Sequence, residues 1–91
     1  MYLEIISPEA TIYSGEVLSV SVPGEVGSFQ ILSNHAPIVS NLKKGSVIIE
    51  GDIKIKDEFK KSFINKNGKT FFEINSGTIE MNNNNVIILS D

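Results

Sequence analysis

His35 is the only histidine in the chain, and there is no cysteine. A metal centre needs several His, Cys or carboxylate ligands converging on one point, which a single imidazole does not supply. As a general base His35 would need a presented nucleophile, and no Gly-x-Ser-x-Gly elbow occurs. A lone histidine of this kind serves as a hydrogen-bonding or packing residue. Pro23-Gly24-Glu25-Val26-Gly27 has some of the look of a phosphate loop. It leads into the alternating Phe29-Gln30-Ile31 rather than a helix N-terminus, and no Gly-Lys-Ser/Thr closes it, so it reads as a strand-to-strand turn. The carboxylates are scattered, with no Asp-x-Asp pair and no calcium loop. Glu4, Glu9 and Glu16 fall on solvent-facing strand and turn positions. Nothing here assembles a catalytic, cofactor or metal site, and the chain reads as a non-enzyme.

One segment has unusual chemistry for a surface connection. Leu32-Ser33-Asn34-His35-Ala36-Pro37-Ile38-Val39 mixes small, polar and apolar groups without a charge. Proline stiffens it and removes a donor, while Asn and His each offer a donor and an acceptor. A stiff uncharged loop with an apolar lip suits docking, because little ordering entropy is lost on binding. A well-packed turn would look the same at this level.

The elements that must hold this loop are strands. Apolar residues recur every second position: Leu18, Val20 and Val22; Phe29 and Ile31; Ile53 and Ile55; Phe72 and Ile74; Ile79 and Met81. That period belongs to half-buried strands with one wet face. Turn chemistry separates them at Pro23-Gly24, Lys44-Gly45, Gly51-Asp52, Asn67-Gly68 and Ser76-Gly77, and Asn82 to Asn85 supply another tight connection. Asn67-Gly68 between apolar runs is a strong two-residue hairpin signal. Only Glu50 to Phe63 invites a helical reading, and Gly51 with the Ile53/Ile55 alternation speaks against it. The pattern predicts one all-β domain over residues 1–91, a sandwich or flattened barrel. Its core is expected to take Leu18, Val20, Val22, Phe29, Ile31, Val47, Ile49, Ile79 and Ile88.

Composition narrows the partners. The net charge is −3, all eight basic residues are lysines, and tryptophan is absent. Arginine is preferred for bidentate phosphate and guanine contacts, so this acidic, arginine-free chain is a poor candidate for nucleic-acid binding and none is expected. No apolar run is long enough to span a bilayer, and Met1-Tyr2-Leu3-Glu4 is not the start of a signal peptide. A cytoplasmic location is the default expectation.

The chain resembles the epsilon subunit of F-type ATP synthases (delta in mitochondria). The likeness runs through Leu3-Glu4-Ile5-Ile6-Ser7-Pro8-Glu9, Tyr13-Ser14-Gly15-Glu16-Val17 and Val20-Ser21-Val22-Pro23-Gly24. Gly27-Ser28-Phe29-Gln30-Ile31-Leu32-Ser33-Asn34-His35-Ala36-Pro37 is its most specific stretch, followed by Lys43-Lys44-Gly45, Ser76 to Met81 and Asn85 to Asp91. Gln30, Ser33 and Ser76 depart from the family pattern, which has glycine, proline and glycine there. The resemblance implies a flattened β-sandwich or barrel of about ten short strands. It implies a non-catalytic place in the central stalk, between the gamma subunit and the c-ring, on the cytoplasmic face of the membrane as a peripheral component. Ser28, Asn34, His35, Ala36 and Pro37 match the ring-contacting positions, and Ser7 and Ser40 match positions near gamma. Most members continue into a helical hairpin that in some binds ATP. This sequence stops at Asp91, which leaves two expectations: a naturally short form without that hairpin and without bound nucleotide, which is favoured, or a domain cut from a longer protein at its boundary. The competing expectation is a small β-barrel that binds a sugar or other small ligand in an aromatic-lined pocket.

Overall fold

The computed structural model describes residues 1–91. Ten strands follow in order: β1 (Tyr2–Ile6), β2 (Thr11–Glu16), β3 (Ser19–Gly24), β4 (Gly27–Leu32), β5 (Ile38–Leu42), β6 (Gly45–Glu50), β7 (Phe63–Lys66), β8 (Lys69–Ile74), β9 (Gly77–Asn82) and β10 (Asn85–Ser90). The one helical piece is a 3-10 turn at Asp57–Ser62 between β6 and β7. Hydrogen bonding runs in the order β2-β1-β10-β9-β5-β3-β6-β8-β7, with β4 on the other side of β3. All pairs are antiparallel except β1 with β10, where Tyr2 lies opposite Asn85 and Ile6 opposite Leu89. The link between β5 and β3 is a single residue pair, Gly24 with Leu42. The curled sheet thus divides into two halves, β2-β1-β10-β9-β5 and β4-β3-β6-β8-β7, hinged at that corner.

Local chemistry explains the turns. Asn67 and Gly68 have φ of 54° and 77°, and Asn83 and Asn84 have 50° and 61°. Two successive positive φ values make a type I′ hairpin, whose twist matches the flanking strands. Asn tolerates this region and Gly has no Cβ to oppose it. Gly77 is needed for a different reason: a Cβ there would lie 2.3 Å from the Leu89 carbonyl oxygen across the β9–β10 ladder.

Both halves contribute to one core. Leu3, Ile5, Ile79, Met81, Val86 and Ile88 come from the first half, and Val20, Val22, Ile31, Val47, Ile49, Phe72 and Ile74 from the second. Seven of the nine core positions read from the alternation are buried, and Phe29 is half-buried against the cluster. Leu18 is the exception, with 72% of its surface exposed. The period-two count fails because the chain turns a corner here. The Val17 N–H donates to the Met1 carbonyl, just ahead of β1, and the next one, Leu18, donates to the Glu50 carbonyl on β6 in the opposite half. Val17 takes the core position and Leu18 is turned out to solvent.

Ile53 and Ile55 also depart from expectation. They are half-buried against the core, yet the segment joins no ladder and is not a strand. Alternation requires only an extended backbone, and no neighbouring strand is available after Gly51 breaks β6 at φ 143°. The chain then winds into the 3-10 turn, where acidic Asp57 and Glu58 precede Lys60 and Lys61, and Lys60 Nζ pairs with Asp57 Oδ1 at 3.0 Å.

Tyr13 is buried on β2. Burial holds its phenol above the ordinary value of 10.0, with the charges of Tyr2 and Glu16 adding to the effect. A raised folded-state pKa contributes stability that is complete below the unfolded value and is lost as pH rises through the folded one. Stability is therefore expected to fall above pH 10 through Tyr13, and Tyr13→Phe to remove that part of the fall. Denaturant melts of both proteins across alkaline pH check this; identical alkaline profiles would exclude Tyr13 as a source.

Candidate docking site

Residues Ser33 to Pro37 connect β4 to β5, and each of them is exposed. Exposure does not leave the loop loose. Asn34 adopts φ 65°, which asparagine tolerates better than most residues. Its N–H donates to the Asn84 side-chain oxygen at 2.8 Å, tying the loop to the β9–β10 turn. The Asn84 carbonyl in turn accepts the Tyr2 N–H at 3.1 Å. The His35 N–H donates to the Leu32 carbonyl at 3.2 Å, closing a tight turn. His35 Nδ1 lies 2.6 Å from the Ala36 carbonyl. A carbonyl can only accept, so Nδ1 carries the proton in this contact. Pro37 then fixes the entry to β5.

The chemistry of this surface is uniform. No Asp, Glu, Lys or Arg occurs from Val26 through Leu42. Two large apolar side chains flank the loop in the open, Leu32 at the end of β4 and Val39 near the start of β5, the latter 75% exposed. No carboxylate is hydrogen-bonded to His35, and no group of three or more His, Cys, Asp or Glu side chains could hold a metal. What the arrangement offers is a stiff, neutral, part-apolar contact surface.

The candidate residues are not all together. Asn34, His35, Ala36 and Pro37 form the loop. Ser28 sits at the other end of β4, opposite Pro23 and beside the Glu25-Val26 turn. Four strand steps of ~3.3 Å separate it from Leu32, so Ser28 is ~13 Å short of the loop. Ser40 lies in the middle of β5 opposite Ile79, with its Oγ donating to the Asn41 carbonyl at 3.1 Å. Ser7 belongs to the β1–β2 connection, where its N–H donates to the Ala10 carbonyl at 2.9 Å and its Oγ accepts the Ala10 N–H at 3.3 Å. Ser7 and Ser40 thus lie on the same half of the sandwich, with β10 and β9 between their strands. Asn84 was not among the sequence candidates. The asparagine run announces only a turn, and nothing local shows that one side chain reaches across to Asn34.

The largest concavity is elsewhere, a cleft of about 560 Å³ bounded by Ile53, Lys54, Ile55, Lys60, Phe63, Asn65 and Thr70. Its one aromatic, Phe63, packs on Phe72 with ring centroids 5.0 Å apart, and Lys60 is paired with Asp57. This gives the small-ligand reading no aromatic platform. The sequence Gly68-Lys69-Thr70 lies in the β7–β8 hairpin, with Lys69 and Thr70 paired in the ladder, so it is not a phosphate loop.

Fold and loop together define a β-sandwich module with an exposed, uncharged, hydrogen-bonded loop. Residues 1–91 match the family described as the beta-sandwich domain of the ATP synthase delta/epsilon chain, and the chain belongs to that family. The chain is 35% identical over 89 residues to the ATP synthase epsilon chain of Chlorobium limicola, covering 98% of this chain and 86% of that protein. It is 38% identical to the epsilon chain of Leptospira borgpetersenii over 98% of its own length, but spans only 59% of that relative. Among solved structures, a chain from the central stalk/c-ring of the Tetrahymena thermophila mitochondrial ATP synthase superposes with a TM-score of 0.75 at 14% identity. That match covers 99% of this chain and 62% of the other. A chain of the Euglena gracilis mitochondrial enzyme gives 0.73 at 19% identity, covering 97% of this chain and 48% of the other. At such identities these two structures speak to the fold. No helix is long and apolar enough to cross a membrane.

Proposed function

We propose that this chain is a non-catalytic component of the central stalk of an F-type ATP synthase, joining the gamma subunit to the membrane c-ring and helping couple ion translocation to ATP synthesis. The observation that carries the reading is the Asn34–Pro37 loop, exposed yet fixed by the Asn84 side chain and by its own turn. Pre-organisation of this kind lowers the entropy lost on docking. A transmitting part needs shape and contact rather than tuned catalytic groups, and the neutral surface from Val26 to Leu42 has that character. In this reading Ser28 and the loop face the ring, Ser7 and Ser40 lie towards gamma, and the complex holds the chain at the cytoplasmic face. The test is purification of the membrane complex through a tag on this chain. Gamma and the c subunit are expected to accompany it; recovery of the chain alone from intact complexes would sink the proposal.

A milder effect is expected at His35. Its ring makes one contact inside the loop, so His35→Ala should weaken docking by about 1–2 kcal/mol, the scale of a truncated interface residue. The fold should be kept. Binding of the variant to ring-bearing membranes, alongside its thermal melt, checks both halves of that statement.

A further inference from the structure

Charge is sorted along this chain. Residues 54–69 hold six of the eight lysines against two carboxylates, Asp57 and Glu58, a net side-chain charge of +4. The remainder holds only Lys43 and Lys44 against nine carboxylates, a net of −7. The fold gathers the six lysines instead of dispersing them. The unpaired segment 53–56, the 3-10 turn and the β7–β8 hairpin border one cleft, with Lys54 and Lys60 beside Asn65 and Thr70.

Every one of these lysines is exposed. Only two have a carboxylate within reach, Lys60 with Asp57 at 3.0 Å and Lys69 with Glu50 at 4.0 Å. Both pairs lie open to solvent, where such contacts contribute little. Lys66 and Lys69 stand opposite each other across the β7–β8 ladder, and like charges so placed are destabilising. Lysine on an edge strand can guard it against pairing with other chains. That role accounts for Lys66 on β7, but not for Lys54, Lys56, Lys60 and Lys61, which lie outside any strand.

We propose that this lysine arm binds the anionic headgroups of a phospholipid bilayer. Clusters of about four to eight basic residues are drawn to acidic lipid, each adding to the attraction. The cation is lysine throughout, a hydrated point charge on a flexible stem. That suits a fluid layer of phosphates better than one fixed anion geometry. A headgroup also needs no aromatic platform in the cleft: the ammonium groups of Lys54 and Lys60, with Asn65 and Thr70, are donors a phosphate can use. Ile64, on β7 between Lys61 and Lys66, is 61% exposed. A bilayer interface takes up such an apolar tip, whereas an acidic polypeptide would leave it in water. The same surface repels the −7 remainder, so the attraction orients the domain as well as holding it. The inference stands apart from the stalk reading, which needs gamma and the ring but no lipid.

Co-sedimentation of the chain with lipid vesicles tests this. Vesicles of equal parts phosphatidylglycerol and phosphatidylcholine should carry the chain down at low salt and release it as salt rises. Vesicles of phosphatidylcholine alone should not bind it. Lys61→Gln combined with Lys66→Gln removes two exposed lysines that hold no ion pair, so the thermal melt should be kept. Binding to the acidic vesicles should weaken about thirtyfold, about fivefold for each lysine. Lys43→Gln combined with Lys44→Gln removes the same charge from the β5–β6 connection, outside the arm, and should weaken binding by no more than about twofold. Equal losses in the two double variants would mean that net charge alone draws the chain, and would overturn the arm as a site. Failure of the parent to bind acidic vesicles would overturn the proposal and leave the stalk reading standing. Capture on immobilised polyglutamate, lost in the Lys61→Gln, Lys66→Gln variant while vesicles stay unbound, would make an acidic polypeptide the occupant instead.

Discussion

Ala36→Glu is expected to uncouple ion pumping from ATP hydrolysis while leaving hydrolysis by the detached head intact. Ala36 sits in the exposed loop between His35 and Pro37, within a stretch that has no charged residue from Val26 to Leu42. A carboxylate placed there stays solvated in the free chain, so the fold should not suffer. On docking it would lose water without gaining a partner, and an unpaired charge taken out of solvent costs several kcal/mol. Each 1.4 kcal/mol is about tenfold in affinity, so occupancy of the ring contact should collapse rather than decline. The measurement is ions pumped per ATP hydrolysed in membrane vesicles carrying the parent or the variant. His35→Ala should lower the ratio modestly and Ala36→Glu steeply. Equal ratios for parent and Ala36→Glu would move the ring contact to another surface of the sandwich.

Ile31→Ala is expected to cost about 2–5 kcal/mol, the range for removing a large aliphatic side chain from a closed core. Ile31 is fully buried on β4 opposite Val20, with no exposed surface over which neighbours could relax. Domains of this size hold about 5–15 kcal/mol in total, so one substitution removes a large share. At roughly 4–8 °C per kcal/mol for a domain of up to about 100 residues, the midpoint should drop by about 10 °C or more. Leu18→Ala is the control. Its side chain is in solvent and its loss should change stability by no more than about 0.5 kcal/mol. Thermal melts of the two variants decide the matter; comparable losses would mean that the corner at Val17-Leu18 is misread.

The pair Ile31 and Leu18 also shows what the sequence could and could not convey. Alternation located Val20, Val22, Ile31, Val47, Ile49, Ile79 and Ile88 correctly, because inside a strand the period is fixed by the pleat. It misplaced Leu18 because period two holds only while the chain stays in one strand. The two successive N–H groups of Val17 and Leu18 bond to different halves of the fold, and no local residue type marks that change. Ile53 and Ile55 failed for a related reason. Their alternation is real, but a strand also needs a neighbour, and neighbours are set by chain path. The turns were legible almost to the residue, since Asn67-Gly68 and the asparagine run carry their conformational preference in their own side chains.

The docking loop was legible as chemistry and opaque as mechanics. Proline, asparagine and histidine without charge pointed to a stiff neutral surface. The side chain that holds it, Asn84, comes from another hairpin fifty positions away. Contacts at that separation leave no trace in a local pattern. The lysine arm was legible as a run of charge from Lys54 to Lys69 but not as one surface, since only the fold brings segment 53–56, the 3-10 turn and the β7–β8 hairpin around one cleft.

The parallel pairing of β1 with β10 has a consequence for how the protein is made. Tyr2 to Ile6 leave the ribosome well before Asn85 to Leu89, which form one of their two neighbours in the sheet. Leu3 and Ile5, both without exposed surface in the finished fold, have to wait for Val86 and Ile88 to be synthesised. Closure across such a span is slow, and topologies dominated by distant pairings fold over milliseconds to seconds rather than microseconds. Through that interval an apolar strand is on offer to any passing chain, so the nascent polypeptide is the aggregation-prone species. Productive synthesis should then depend on holdase chaperones until Val86 and Ile88 have emerged from the ribosome.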